Sequence, residues 1–225
     1  MNNHKIIWTL QSDFPDEWIS HVDSLNLSIS HVPLIKLVQT IDINSLTSNI
    51  LHENIIITSP YSSKLLANKI NKDYKFYVVG KKAAKTLINN NLNVLKICNS
   101  SIELSEWIKL QENQTFVHLC SELTDSNIWP QNVTSIPFYK PIENEKFSYE
   151  SYKNLRNCTV VFGSPSGVDV WFKDDNKYNN INYACMGQTT ANKLLKYVKK
   201  EVIFPKDSTI ESLIKLIVES LNEKK

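Results

Sequence analysis

The sequence predicts an α/β protein whose parallel sheets are covered by helices on both faces, organised as two domains. Three observations carry that expectation. Apolar runs of strand length alternate along the chain with stretches of helical periodicity, the pattern of strands buried on both faces and linked by crossover helices. A set of short motifs recurs in the same order in the second half of the chain, as a duplicated unit would produce. The 225 residues also suit two domains of roughly 100 residues better than one small domain.

In chain order, strands are expected at Lys5 to Leu10, Ser28 to Leu34, Ile55 to Thr58, Phe76 to Val79, Val94 to Ile97, Phe116 to Leu119, Val133 to Phe138, Thr159 to Phe162, Tyr183 to Met186 and Val202 to Phe204. Each is an apolar run of the length that a buried strand takes. Helical spacing follows most of them, for instance Leu65, Leu66, Lys69 and Ile70, or Leu213, Ile214, Ile217 and Leu221.

The repeat is legible in IIITSPYSSKLL from Ile55 and VVFGSPSGVDVW from Val160. Ser59-Pro60 matches Ser164-Pro165 at an offset of 105; YVVGKKAAKTL from Tyr77 matches ACMGQTTANKL from Ala184 at 107; SIE from Ser101 matches TIE from Thr209 at 108. The matched blocks do not begin at the start of the chain, so the second needs strands from elsewhere, and the N-terminal segment is the available supply. The expected organisation is therefore a discontinuous domain of residues 1–34 plus 142–225 and an inserted domain of residues 38–138. Residues 34–38 and 138–142 would link them as two extended crossings, and the prolines of VPLIKLV and PFYKPI suit strand better than helix.

Composition excludes several functions. The formal charge is +2, from 25 basic and 23 acidic residues, and Arg156 is the single arginine, a poor endowment for binding nucleic acid. Lys199-Lys200 and Lys224-Lys225 read as solvated. No run approaches the roughly 18 apolar residues of a membrane span, and the apolar stretch at the N-terminus is too short for a signal peptide. A cytoplasmic protein without a membrane partner is expected. Cys98, Cys120, Cys158 and Cys185 form no CxxC, which predicts free and mostly buried thiols in a reducing compartment. His118 and Cys120 form an HxC pair with no second ligand pair, so no metal site is expected.

The Ser-Pro turns carry the chemistry. Ser at the N-cap accepts a backbone N–H, and Pro at the first helical position lacks the N–H that would be orphaned there. At the carboxyl ends of parallel strands such turns present free N–H groups to an anion. Gly80, Gly163, Gly167 and Gly187 all lie in the matched regions, where a missing Cβ permits close backbone approach. The same turns also serve as plain corners, and residue types alone do not separate the two roles. Neither GxGxxG nor GxxxxGK[ST] occurs, and GxSxG and HExxH are absent too. No histidine is near the turns in sequence, and His4 and His52 read as exposed loop residues. Tyr139 is the one side chain to consider as a proton donor, with simple packing in the linker as the alternative.

FGSPSGV from Phe162, CMGQTTANKL from Cys185, ITSPYS, VVGKKAAKTL, FYKP from Phe138 and PKDSTIESLI from Pro205, in this order and spacing, resemble the uroporphyrinogen-III synthase family over nearly the whole chain. The resemblance implies two flavodoxin-like three-layer α/β/α domains with parallel sheets, joined by a two-stranded linker, with a cleft between them. It implies a cyclising hydro-lyase of tetrapyrrole (heme) biosynthesis, acting as a monomer with no cofactor. The reaction takes linear hydroxymethylbilane, a polycarboxylate, removes its terminal hydroxyl as water and closes the macrocycle with ring D inverted.

Carried over residue by residue, Tyr139 is the expected catalytic group. Ser59, Pro60, Ser62, Gly80, Lys82, Ser164, Ser166, Gly167, Gly187, Thr189 and Thr190 are the expected substrate-binding set. The chain departs from the family pattern at Gly163 and at Lys81-Lys82, where Lys82 could supply a carboxylate partner. The alternative reading is a non-catalytic two-domain anion-binding module, or a degenerate relative that keeps only the fold.

Overall fold

The computed structural model describes residues 4–49, 53–70, 73–152, 155–173 and 181–222. Its elements run β1 (His4–Trp8), α1 (Asp16–Ser24), β2 (Leu27–His31), β3 (Ile35–Gln39), α2 (Ile43–Asn49), β4 (Asn54–Ile57), α3 (Pro60–Leu66), β5 (Lys75–Val79), α4 (Lys81–Asn89), β6 (Asn93–Cys98) and α5 (Ser101–Lys109). They continue with β7 (Phe116–Ser121), β8 (Val133–Glu143), a 3₁₀ turn at Tyr149–Tyr152, β9 (Cys158–Phe162), α6 (Pro165–Trp171), β10 (Ile181–Cys185), α7 (Gln188–Leu194), β11 (Val202–Ile203) and α8 (Ile210–Asn222).

The chain divides into two units, Met1–Lys36 with Ile142–Lys225, and Leu37–Pro141. The first unit has a 5-stranded sheet in the order β11-β10-β9-β1-β2, with every neighbouring pair parallel. Side chains alternate across a strand, so Ile6 and Trp8 of β1 join Val22 of α1 and Leu213, Ile214 and Ile217 of α8 in one apolar cluster. Ile7 joins Val168 and Trp171 of α6 and Ala191 and Leu194 of α7 in another. Two helical layers thus sandwich the sheet.

The second unit has a 6-stranded sheet, β3-β8-β7-β4-β5-β6, parallel from β8 through β6. Ile55, Ile57, Phe76 and Val78 pack with residues of α2, α3 and α4, whereas Ile56 and Tyr77 pack with Leu104 and Ile108 of α5. The architecture is again helix, sheet, helix.

The sheet orders explain why the repeat does not tile the chain. β4-β5-β6 and β9-β10-β11 occupy matching places, and the next two places are filled by β7-β8 in one sheet and by β1-β2 in the other. Along the chain this is β1-β2 then β4-β5-β6, followed by β7-β8 then β9-β10-β11. Each unit takes two strands from one repeat and three from the other.

Residues 34–38, expected as one of two extended crossings, lie largely within Ile35–Gln39, a strand at the edge of the second sheet. β8 runs 11 residues through Pro137, which falls beside a register shift between Cys120 and Ser121, one of the few sheet positions that tolerate proline. His4 is no exposed loop residue: its ring meets Asn157 Oδ1 at 3.1 Å and Thr159 Oγ1 at 2.9 Å at the start of β1. His52 lies outside the described residues. The four cysteines are free and buried; burial pushes the Cys158 and Cys185 thiols up to about 11, so they are inert as nucleophiles.

Candidate functional site

In the second unit β4 ends at Ile57 and α3 begins at Pro60, with Ser59 as N-cap accepting the Tyr61 N–H at 3.1 Å. Ser62, one turn in, is fully buried and donates its hydroxyl to the Leu119 carbonyl at 3.3 Å. Tyr139 reaches this turn from β8. Its phenol lies beside the hydroxyls of Ser59 and Ser62, the residue is 6% exposed, and the Tyr61 ring lies 4.9 Å away by centroids. Burial pushes the Tyr139 phenol above its ordinary value, with the neighbouring Ser59 and Ser62 hydroxyls acting the other way. Tyr61, also raised by burial, gives its hydroxyl to the Leu37 carbonyl at 2.9 Å.

The turn after β5 is different. Gly80 has φ +87°, a left-handed conformation that disfavours any side chain, and Lys81 and Lys82 are exposed at the head of α4.

In the first unit Ser164 caps α6, its Oγ accepting the Gly167 N–H at 3.4 Å. Ser166 is partly exposed and Gly167 buried, with open contacts, since a Cβ on Gly167 would meet nothing nearer than 3.9 Å. Gly187 precedes α7 and accepts the N–H groups of Thr190 and Ala191. A Cβ there would stand 2.6 Å from Ser208 Oγ, so a side chain at this position turns the Ser208 hydroxyl aside. Thr189 is exposed and Thr190 buried.

A sequence model described as uroporphyrinogen-III synthase HemD matches residues 16–215. The chain belongs to the uroporphyrinogen-III synthase family. It is accordingly a lyase of porphyrin and heme biosynthesis, the enzyme that forms uroporphyrinogen III. The structure is similar to that of uroporphyrinogen-III synthetase from Helicobacter pylori, with TM-score 0.71 and 14% identity over 96% of this chain and 99% of that one. It is also similar to a mutant uroporphyrinogen III synthase from the extremely thermophilic bacterium Thermus thermophilus, with TM-score 0.63 and 12% identity over 98% of this chain and 99% of that one. At such identities the likeness is one of fold. No curated protein sequence matches.

Of the residues that sequence reading singles out, the second unit brings Ser59, Pro60, Ser62 and Tyr139 together at one turn. The first unit places Ser164, Ser166 and Gly167 at the carboxyl end of β9, and Gly187, Thr189 and Thr190 at the carboxyl end of β10. Ser62 and Thr190 are buried against the fold and serve the turns rather than their surface. Among the described residues no group of three or more His, Cys, Asp or Glu is placed to hold a metal ion, and no helix is long and apolar enough to cross a membrane. A surface cavity of about 650 Å³ at the starts of α1 and α8 is lined by Pro15, Trp18 and Ile210 among others and includes none of the residues singled out.

Sequence reading weighed His118 only as half of an HxC metal pair and did not anticipate its surroundings. It is fully buried in the middle of β7, with Nε2 3.0 Å from Thr58 Oγ1 and Nδ1 3.4 Å from Ser135 Oγ, and the Trp129 ring 4.8 Å away. The available signal was a histidine inside the apolar strand FVHLC.

Proposed function

We propose that the chain closes hydroxymethylbilane with Tyr139 as the acid that assists loss of the terminal hydroxyl. The observation that carries this reading is the meeting of Tyr139 with Ser59 and Ser62, residues 80 and 77 positions away. Burial keeps the phenol protonated at neutral pH, the form a general acid needs. When the phenol gives its proton to the departing hydroxyl, water leaves, and the Ser59 hydroxyl, which accepts rather than donates at the helix cap, donates to the phenolate. Formation of the closing carbon–carbon bond at a pyrrole carbon releases a proton, which returns to the phenolate. Atoms and charge then balance with no redox step.

The remaining turns receive the acetate and propionate carboxylates. Backbone N–H groups at the heads of α4, α6 and α7 favour anions. Thr189, Ser166 and the exposed Lys82 add side-chain donors. In this reading the enzyme acts as a cytoplasmic monomer.

The test supplies freshly generated hydroxymethylbilane and analyses the oxidised porphyrin isomers. Type III isomer above the spontaneous type I background is expected. Type I alone overturns the reading and leaves an anion-binding module.

A further inference from the structure

We infer that His118 is a positioning residue for the reaction, because its one imidazole ties together the two elements that meet at Tyr139. The inference rests on the reading of Tyr139 as the acid. Nε2 holds Thr58, which immediately precedes the Ser59 cap. Nδ1 holds Ser135, four residues before Tyr139 on β8 and directly opposite His118 in the sheet.

The next residue of β7 reinforces the first tie, since the Leu119 carbonyl accepts from Ser62. One strand therefore grips the turn at Thr58 and at Ser62, the two sides of its hydroxyl pair. A neutral imidazole has one donor and one acceptor nitrogen, so hydroxyls on both sides satisfy it fully. The ring then cannot rotate without breaking a buried bond, a loss that the fold opposes.

The other half of the molecule shows that the fold does not itself demand this residue. His118 stands opposite Ile56, and Trp8 stands opposite Val161, at the same offset of 105 that relates the Ser-Pro turns. Trp8 is equally buried, but its indole N–H goes to the Ser12 carbonyl at 2.8 Å and to no Ser-Pro turn. A large apolar residue fills the equivalent place where no tyrosine has to be aimed.

The experiment introduces ¹³Cζ-tyrosine and finds the Tyr139 resonance by its absence from Tyr139→Phe. His118→Leu keeps the bulk and removes both bonds; Thr58→Val removes the first bond from its other end; His118→Gln retains one donor and one acceptor. The expected result is a displaced Tyr139 resonance in His118→Leu and Thr58→Val, with His118→Gln closer to wild type. kcat should fall about 10-fold or more, as a misplaced catalytic group does, and that loss should vanish in the Tyr139→Phe background. An unmoved resonance in the folded variants overturns the inference, as do losses that multiply with Tyr139→Phe. A displaced resonance together with normal kcat in Tyr139→Phe leaves the tie standing and sinks the catalytic reading of Tyr139 instead.

Discussion

Asn144 donates its side-chain amide to the Pro33 carbonyl at 2.7 Å, across 111 residues of chain. Its backbone N–H goes to the Leu34 carbonyl at 2.9 Å, and its Oδ1 accepts the Lys146 N–H at 3.2 Å. One side chain thus clasps, inside the first unit, the two segments that lead to and from the second. Asn144→Ala leaves the Pro33 carbonyl short of a partner and should cost about 1–2 kcal/mol, seen as a lower urea midpoint with an unchanged slope. A midpoint equal to wild type would show that water replaces the amide without loss.

Tyr139→Phe removes the proposed acid and little of the packing, because the ring stays in its apolar cluster. kcat should drop roughly 10²- to 10⁴-fold with a small change in Tm. Steady-state kinetics beside a thermal melt checks both. Near-normal kcat would leave Tyr139 as a packing residue.

Gly167 and Gly80 should separate ligand approach from backbone strain. The Cβ of Gly167→Ala meets nothing nearer than 3.9 Å, so the fold should keep its Tm while KM rises if a carboxylate lies against that backbone. Gly80→Ala forces a side chain to φ +87° and should lose about 1–2 kcal/mol of stability. Equal loss of stability in both would remove the argument for close approach at Gly167.

His118 should make stability depend on pH in a defined window. Burial lowers its folded value from 6.5 to about 4, so the neutral ring is the folded form and Thr58, Ser135 and Trp129 surround it without a countercharge. The contribution is complete above pH 6.5 and is lost as pH falls from 6.5 toward 4, reaching roughly 3 kcal/mol at the acid end. Urea titrations of wild type and His118→Gln across that window should converge as pH falls. A constant gap between the two would refute the assignment.

Local chemistry made most elements legible. Apolar runs with β-branched residues became strands within a few residues of their expected ends, and Ser59, Ser100 and Ser164 each cap a helix through their own hydroxyls, because a cap bond spans only two or three residues. β3 reads as extended chain in the sequence IKLVQ, but its side chains alternate between partly buried and exposed positions, and its place in a sheet is set by its neighbour β8.

The succession of elements, the apolar runs, the caps and the repeated turns are encoded within short windows, where each residue answers to neighbours a few positions away. Pairing is not encoded there. Any apolar strand can satisfy its backbone against several others, so only the packed molecule decided that β7 lies beside β4 and β1 beside β9. That choice placed His118 behind Thr58, 60 residues away, and closed Ser59 and Ser62 around Tyr139. A histidine in an apolar strand is ambiguous by sequence, because its role depends on which hydroxyls the neighbouring strands bring within about 3 to 3.5 Å.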